Sequence, residues 1–369
     1  MRPRARNRFR NTATMVAHGG PAICNIAVTN RCNARCDFCS YAVDKKRVRQ
    51  GQLMGYDDYR HAIDILHGRG VRYITLSGGE PFLHPRLYDM VAYAVGIGIR
   101  PSVCTNGSRL GPEAVEALRK SGLKTLIVSM DASSEEAHEK NRGLPGVCGR
   151  IRESTRLLNQ LSIECVASVT ISRLVDDYDR LASFLEDLGF RTVTFSYPKR
   201  SIGSSSLVFS DTSSLLHRTP AELAGAFHDI LRLKSRFRVL NPSESLKDML
   251  RLQRGERQVF PCFGGYKYFF LDWNLDVWRC DMWPSKMGSI HDFEHVPFIR
   301  DHCTMCMSDC YRDSSVLLNF VVSLADGLTL LKRGKPVKAL ETVFTRSALR
   351  SVKALLEEWG TLRNLSKTP

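Results

Sequence analysis

Long apolar runs are scarce in this 369-residue chain, acidic residues are outnumbered, and its most conspicuous cysteines lack a fourth ligand nearby. No apolar run of signal-peptide length follows Arg2, Arg4, Arg6, Arg8 and Arg10, so no secretory leader is expected. Ser314–Leu331 is strongly apolar, but Asp326-Gly327 interrupts it short of the ~20 residues that a spanning helix needs. A membrane-crossing segment is therefore not expected either. Acidic residues number 38 against 53 Lys and Arg, leaving a net charge of +15. Such a field favours anionic partners: nucleic acid, phosphorylated substrates or an anionic membrane surface. No RNA-binding module accompanies the charge, so RNA is not expected as the partner.

What is present is otherwise ordinary. Apolar content of 43% with 25% charged residues suits a soluble globular protein with one large domain and an appendage, or two domains. Twelve cysteines would suit a secreted disulfide scaffold only in a much smaller chain. Here many of them gather into two metal-like groups, which points to a reducing, cytoplasmic compartment.

The first group is Cys32, Cys36 and Cys39, directly after the apolar segment Ala22–Thr29. Zinc would need four N or S ligands in tetrahedral array, and no histidine or fourth cysteine lies beside these three. Three thiolates at this spacing can instead wrap one face of a cubic iron–sulfur cluster and leave its fourth iron open. About 40 residues on, a second strand-like segment, Val71–Leu76, runs into Ser77-Gly78-Gly79-Glu80-Pro81. Two glycines let backbone approach a ligand closely, and Glu80 brings a negative charge suited to an ammonium.

Six strand-like segments alternate with helical ones, which argues a parallel sheet with helices outside. The strands are Ala22–Thr29, Val71–Leu76, Ile99–Cys104, Thr125–Met130, Glu164–Ile171 and Thr192–Ser196. Helical patterns cover Tyr56–Leu66, Arg86–Val95, Pro112–Ser121, Arg150–Leu161 and Asp177–Leu188, with a longer loop after the fourth strand. Six units rather than eight imply an α/β fold with a partial (β/α)6 barrel, whose site would sit at the C-terminal strand ends. The polar motifs fall there: the cysteine loop, Gly78-Gly79-Glu80, Thr105-Asn106-Gly107 and Ser129-Met130-Asp131.

The cysteine triplet, with Phe38 before its last member, and the Gly-Gly-Glu segment together resemble the radical S-adenosylmethionine (SAM) superfamily. The resemblance implies a [4Fe-4S] cluster on Cys32, Cys36 and Cys39, with its open iron binding SAM. An electron would then split the sulfonium and release a 5′-deoxyadenosyl radical, so the cofactor carries chemistry that side chains do poorly. By strand position Gly78, Gly79, Glu80, Thr105, Asn106, Ser129 and Asp131 match cofactor contacts of that family, as does Phe38 in the cysteine loop. Arg142, in a segment like that of peptide-maturing relatives, could pair with a carboxylate. A reductase or flavodoxin-type electron donor is implied as well. No cobalamin-binding domain precedes the barrel, which disfavours cobalamin-dependent methyl transfer.

The second group is Cys262, Cys280, Cys303 and Cys306, with Cys310 left over. Between the first two, Tyr266–Leu271 and Asp276–Arg279 read as a hairpin closed by a turn at Asp272–Leu275. The layout resembles the twitch appendage, a short form of the SPASM domain, and so implies a second, auxiliary [4Fe-4S] cluster on those four cysteines. The match is partial, because Asn274-Leu275 stands where a turn glycine is usual. Tyr197, beyond strand six, is a candidate proton or hydrogen donor without distinguishing features.

The chain thus divides into a basic N-terminal arm (1–20), the partial barrel (21–198), a bridging helical segment (199–258), the cysteine-rich auxiliary domain (259–313) and an amphipathic basic tail (314–369). In the tail, Lys338–Trp359 reads as one helix whose basic flanks and apolar anchors suit a membrane interface or packing on the barrel. The expected activity is hydrogen abstraction from an unreactive carbon of a small molecule, peptide or lipid, followed by oxidation or cross-linking. The rival is a non-catalytic adaptor with two structural zinc sites, which has no use for a glycine-rich strand end.

Overall fold

The computed structural model describes residues 20–43, 51–199, 202–206, 209 and 212–365, with side chains as far as 358. The arginines of the N-terminal arm and Trp359 fall outside that description.

Six parallel strands form the centre: β1 (Ile23–Thr29), β2 (Tyr73–Gly78), β3 (Arg100–Thr105), β4 (Thr125–Met130), β5 (Glu164–Thr170) and β6 (Thr192–Ser196). Their alternation follows from the two-residue period of a strand. Ile74, Leu76, Val103, Leu126, Val128 and Met130 are buried in the main core, with the helices that follow each strand. The intervening positions are mostly small and polar. Ser77 Oγ donates to Asn25 Oδ1 at 2.7 Å, and the Thr75 and Ser102 hydroxyls lie 2.9 Å apart. One face of the sheet is therefore lined by small side chains that leave room. The helix Tyr56–Gly68 buries the predicted face, Tyr59, Ala62, Ile63 and Leu66.

The sheet is larger than the six strands expected. β7 (Arg238–Val239) extends it beyond β6, and β8 (Tyr268–Leu271) pairs in parallel with β1, Ile23 opposite Tyr268 and Ile26 opposite Leu271. With β9 (Asp276–Trp278) and β10 (Lys286–Ser289) the order is β10-β9-β8-β1-β2-β3-β4-β5-β6-β7. The predicted hairpin is β8–β9, antiparallel. It continues the barrel sheet because β1, all but buried, would otherwise leave an unpaired edge. At its turn Leu275 takes φ +67°, a conformation that favours glycine. The Asp272 carboxylate steadies it by accepting from Asn274 N at 2.9 Å and Asp276 N at 3.1 Å.

Three local expectations are corrected. The segment after β4 is not a loop: Glu135–Arg142 is a helix, capped by Ser134 Oγ on Ala137 N and ended by left-handed Gly143. Eight residues with few apolar positions gave no periodic signal, but the cap at one end and the glycine at the other were both readable. In the tail, Asp309–Lys332 is one unbroken helix of 24 residues, long and apolar enough by composition to cross a bilayer. Gly327 does not break it; a Cβ there would meet Val343 Cγ2 at 2.5 Å, so the glycine is where the next helix packs. That helix, Pro336–Val343, is separate from Arg346–Leu365, where one continuous helix was expected.

The start of the long tail helix is bound into the barrel. Arg312 is fully buried, its Nη2 3.0 Å from Asp248 Oδ2 and 2.7 Å from Phe260 O. Asp313 accepts from Asn241 Nδ2 at 2.7 Å, from Tyr197 Oη at 3.4 Å and from Ser245 Oγ. Tyr197 is thus a core residue holding the tail, and burial raises its hydroxyl's pKa further.

Candidate functional site: two cysteine groups at one rim

The loop after β1 is tied to β2 through backbone. Gly79 N donates to Thr29 O at 2.9 Å and Glu80 N to Arg31 O at 2.7 Å. This approach requires glycine: a Cβ on Gly78 would lie 2.1 Å from Thr29 O, and one on Gly79 2.0 Å from Arg31 O. Glu80 is fully buried. Its Oε1 accepts from Thr105 Oγ1 (2.8 Å) and Phe82 N (3.1 Å), its Oε2 from Asn106 N (2.7 Å). Burial raises its pKa, and those donors hold it down in part. Glu80, expected to meet an ammonium, also locks the ends of β2 and β3 together. Asn106, so placed, reaches Asn33 Oδ1 at 2.9 Å and Cys32 Sγ at 4.0 Å.

On the other side the loop is held by the helix after β4. Arg35 N donates to Arg142 O at 2.8 Å. Asp131, fully buried, accepts from Arg142 Nη2 at 2.6 Å and Asn141 Nδ2 at 2.8 Å. Asp131 N donates to His138 Nδ1 at 3.2 Å, which leaves the ring proton on Nε2. Burial lowers the His138 pKa to about 4, so it is neutral at pH 7. Burial also opposes the charge on Arg142, but Asp131 and the thiols of Cys36 and Cys32 more than offset it. Arg142 Nε is buried without a hydrogen-bond partner. Ser129 lies apart from this group, on β4, 3.8 Å from Cys104 Sγ.

Phe38 and Cys36 are buried with Ala34, Phe209 and Leu216, while Cys32 and Cys39 also border Tyr41, Phe270 and Trp273. Burial pushes the Cys36 thiol up to about 12 and raises those of Cys32 and Cys39. Metal binding would release these protons. The donor set fits an iron–sulfur cluster: one buried and two half-buried thiols, a guanidinium facing two of them, and an orphaned N–H beside it. Among the described residues no three Cys, His, Asp or Glu side chains converge on one metal ion. In a cubic cluster each thiolate binds a different iron, so its ligands stand apart.

The C-terminal cysteines gather at the β8–β9 hairpin. Cys262 packs with Tyr268 and Tyr311 against Cys280, Cys303 and Cys310, and Cys262 N donates to Cys303 O at 2.8 Å. Burial raises Cys262, takes Cys280 to about 12 and takes Cys306 to about 11. Buried Arg312 acts on Cys262 and Cys306, and Arg279 on Cys303 and Cys280. The guanidiniums favour the thiolates, while burial and Asp281 oppose them. None of the twelve cysteines is in a disulfide.

Sequence reasoning missed what joins the two groups. Lys199, beyond β6, donates to Asp281 and lies 3.6 Å from Asp309 Oδ1, with its ammonium 5.1 Å over the Phe209 ring. Ser308 Oγ adds bonds of 2.9 and 3.2 Å to Asp281, and Cys310 Sγ donates to Asp309 at 3.5 Å. Burial opposes the charge on Lys199, but the two carboxylates outweigh it. Thus Phe209 touches the first cysteine loop while Asp281 directly follows Cys280. Cys310 belongs to this polar bridge. The available signal was position alone: acidic residues adjoining cysteines, and a lysine three residues past a strand end.

Residues 26–185 match the family model described as Radical SAM superfamily. That segment is thus a radical SAM domain and the protein a radical SAM enzyme, which sets aside the zinc-adaptor reading. An AdoMet-dependent heme synthase of Methanosarcina barkeri (strain Fusaro / DSM 804) is 27% identical over 280 residues, covering 72% of this chain and 78% of that protein. One of Oleidesulfovibrio alaskensis is 28% identical over 165 residues, 44% of this chain and 42% of that protein. Among solved structures, Streptococcus suis SuiB bound to S-adenosylmethionine superposes with a TM-score of 0.58 at 15% identity, covering 78% of this chain and 68% of that one. That likeness speaks to the fold.

Proposed function

We propose that Cys32, Cys36 and Cys39 hold a [4Fe-4S] cluster whose open iron binds SAM, and that Cys262, Cys280, Cys303 and Cys306 hold a second. When bound and reduced, the first cluster supplies the electron that splits SAM into methionine and a 5′-deoxyadenosyl radical. The observation that carries this reading is the double clamp on the cysteine loop, by Gly79 and Glu80 on one side and Arg142 on the other. Gly78 and Gly79 bring backbone to within hydrogen-bond reach of the loop. Asp131 fixes Arg142 so that its unpaired Nε is available to a carboxylate of the cofactor. Glu80 positions Thr105 and Asn106.

The reaction is the two-electron oxidation of a substrate. The group on Cys32, Cys36 and Cys39 would, with SAM, remove one hydrogen atom, the group on Cys262, Cys280, Cys303 and Cys306 would accept one electron, and one proton would be left to a base. Four complete cysteine ligands support the electron-accepting role, since a closed cluster offers substrate no vacant iron. The substrate is a small molecule or a peptide. The relative matched over most of its length is named a heme synthase, which makes a porphyrin the first candidate to assay.

The test is anaerobic reconstitution with iron and sulfide. About eight irons per chain and reductant-dependent 5′-deoxyadenosine are expected. Cys36→Ala should abolish 5′-deoxyadenosine, and Cys280→Ala should lower the iron by about four while sparing SAM cleavage. Stoichiometric zinc, or cleavage surviving in Cys36→Ala, would reject the reading.

A further inference from the structure

Among the described residues, half of the large apolar side chains that are exposed sit in one place. Leu324, Leu328 and Leu331 on the long tail helix, and Val337, Leu340 and Phe344 on and after the short one, are all exposed, Val337 at 68% and Phe344 at 64%. Gly327 lets the two helices close on each other, so that Leu324, Leu328, Leu331, Leu340, Val343 and Phe344 line one shallow apolar cleft of about 90 Å³. Contiguous apolar surface of this kind marks a binding face.

Charge selects the occupant. Lys332, Arg333, Lys335 and Lys338 are exposed at the tip of the same hairpin, and Arg346 follows it. Glu341 is the one acidic residue between 327 and 356. Arg350 and Lys353, further along, face buried Glu244 at 3.9 and 3.7 Å and belong to the packing of the tail on the barrel. A second copy of the chain would set this basic tip against another chain of net charge +15. An anionic bilayer meets both demands, burying the leucines at the acyl boundary and neutralising the basic tip.

We infer that the hairpin of residues 324–346 docks the protein on an anionic membrane surface. The helix Asp309–Lys332 does not cross the bilayer, because Asp309, Arg312 and Asp313 at its start are fastened into the barrel. It lies with its last two turns at the interface, and the catalytic rim stays in water.

The full chain is mixed with vesicles of phosphatidylcholine alone or with phosphatidylglycerol added, and the floated fraction is measured. Binding is expected with phosphatidylglycerol, and it should weaken as salt is raised. Leu340→Glu/Phe344→Glu and Lys332→Glu/Lys335→Glu should each weaken it by about tenfold or more. Both variants should retain wild-type SAM cleavage, which shows the fold intact and is independent of docking. Failure of the wild type to float, unaltered flotation of both variants, or a dimer in solution broken by Leu340→Glu/Phe344→Glu would each overturn the inference.

Discussion

Gly79→Ala tests the clamp between the cysteine loop and the strand-two motif. The added methyl would sit 2.0 Å from Arg31 O and 2.5 Å from Arg31 C, both backbone atoms that no rotamer change can move. Relief requires the loop and the strand end to part by about 1.5 Å to reach ordinary van der Waals contact. The bonds from Gly79 N to Thr29 O and from Glu80 N to Arg31 O, at 2.9 and 2.7 Å, then stretch out of range. Each is worth about 1 kcal/mol net, and stranding the freed groups in a buried site adds about 1 kcal/mol or more. A loss of about 3 kcal/mol corresponds to roughly a hundredfold weaker SAM binding. The assay is SAM titration of the anaerobically reconstituted protein, with iron content and circular dichroism as controls for loading and folding. Gly96→Ala is the matched comparison, since a Cβ there meets nothing within 4 Å, and it should bind SAM normally. Wild-type SAM affinity in a folded, iron-loaded Gly79→Ala protein would show that the close approach is not what builds the site.

Lys199→Met leaves Asp281 and Asp309 facing each other without their counter-ion and should cost about 3–5 kcal/mol of stability. An unchanged denaturation midpoint would remove the polar bridge from the account of how the two cysteine groups are held, and adding Asp281→Asn should recover part of the loss. Two buried groups give opposing pH slopes in the metal-free protein. Burial raises the Asp313 pKa to about 7, so its contribution is fullest below the unfolded value near 4 and is lost as pH rises to 7. His138, lowered to about 4, contributes above its unfolded value of 6.5 and loses that contribution as pH falls toward 4. Asp313→Asn should therefore unmask a stability that climbs by about 3 kcal/mol between pH 4 and 6.5, measured by urea denaturation. A flat profile in that variant would refute the assignment of His138.

Much of the barrel was readable because its strands are short, regularly spaced and alternate in polarity. Thr125–Met130 and Thr192–Ser196 run between the residues the pattern marked, and the helix faces follow the 3.6 period. The site motifs were readable for a related reason. A cysteine triplet and a double glycine are rare enough at a strand end to carry meaning without tertiary information. What escaped was long-range. Lys199 meets Asp281 across 82 residues, and Asn241 reaches Asp313 across 72, so no local window contains either pair. Glu80 was identified as a site residue, yet its role depends on Thr105 and Asn106 being brought to it by the next strand. The hairpin was visible in its turn and alternation, but its parallel seat against β1 was not, since the two strands lie about 245 residues apart.

That seat sets a schedule for making the protein. The strand that introduces the first cysteine loop is made about 245 residues before its neighbour on one side. Until that neighbour is synthesised, the leading strand keeps a bare hydrogen-bonding edge, open to wrong partners. Closing so distant a pair is slow. Correct assembly of the candidate site consequently waits until the hairpin has been made, and a chain cut before the hairpin forfeits the shelter of β1 along with its second cysteine group.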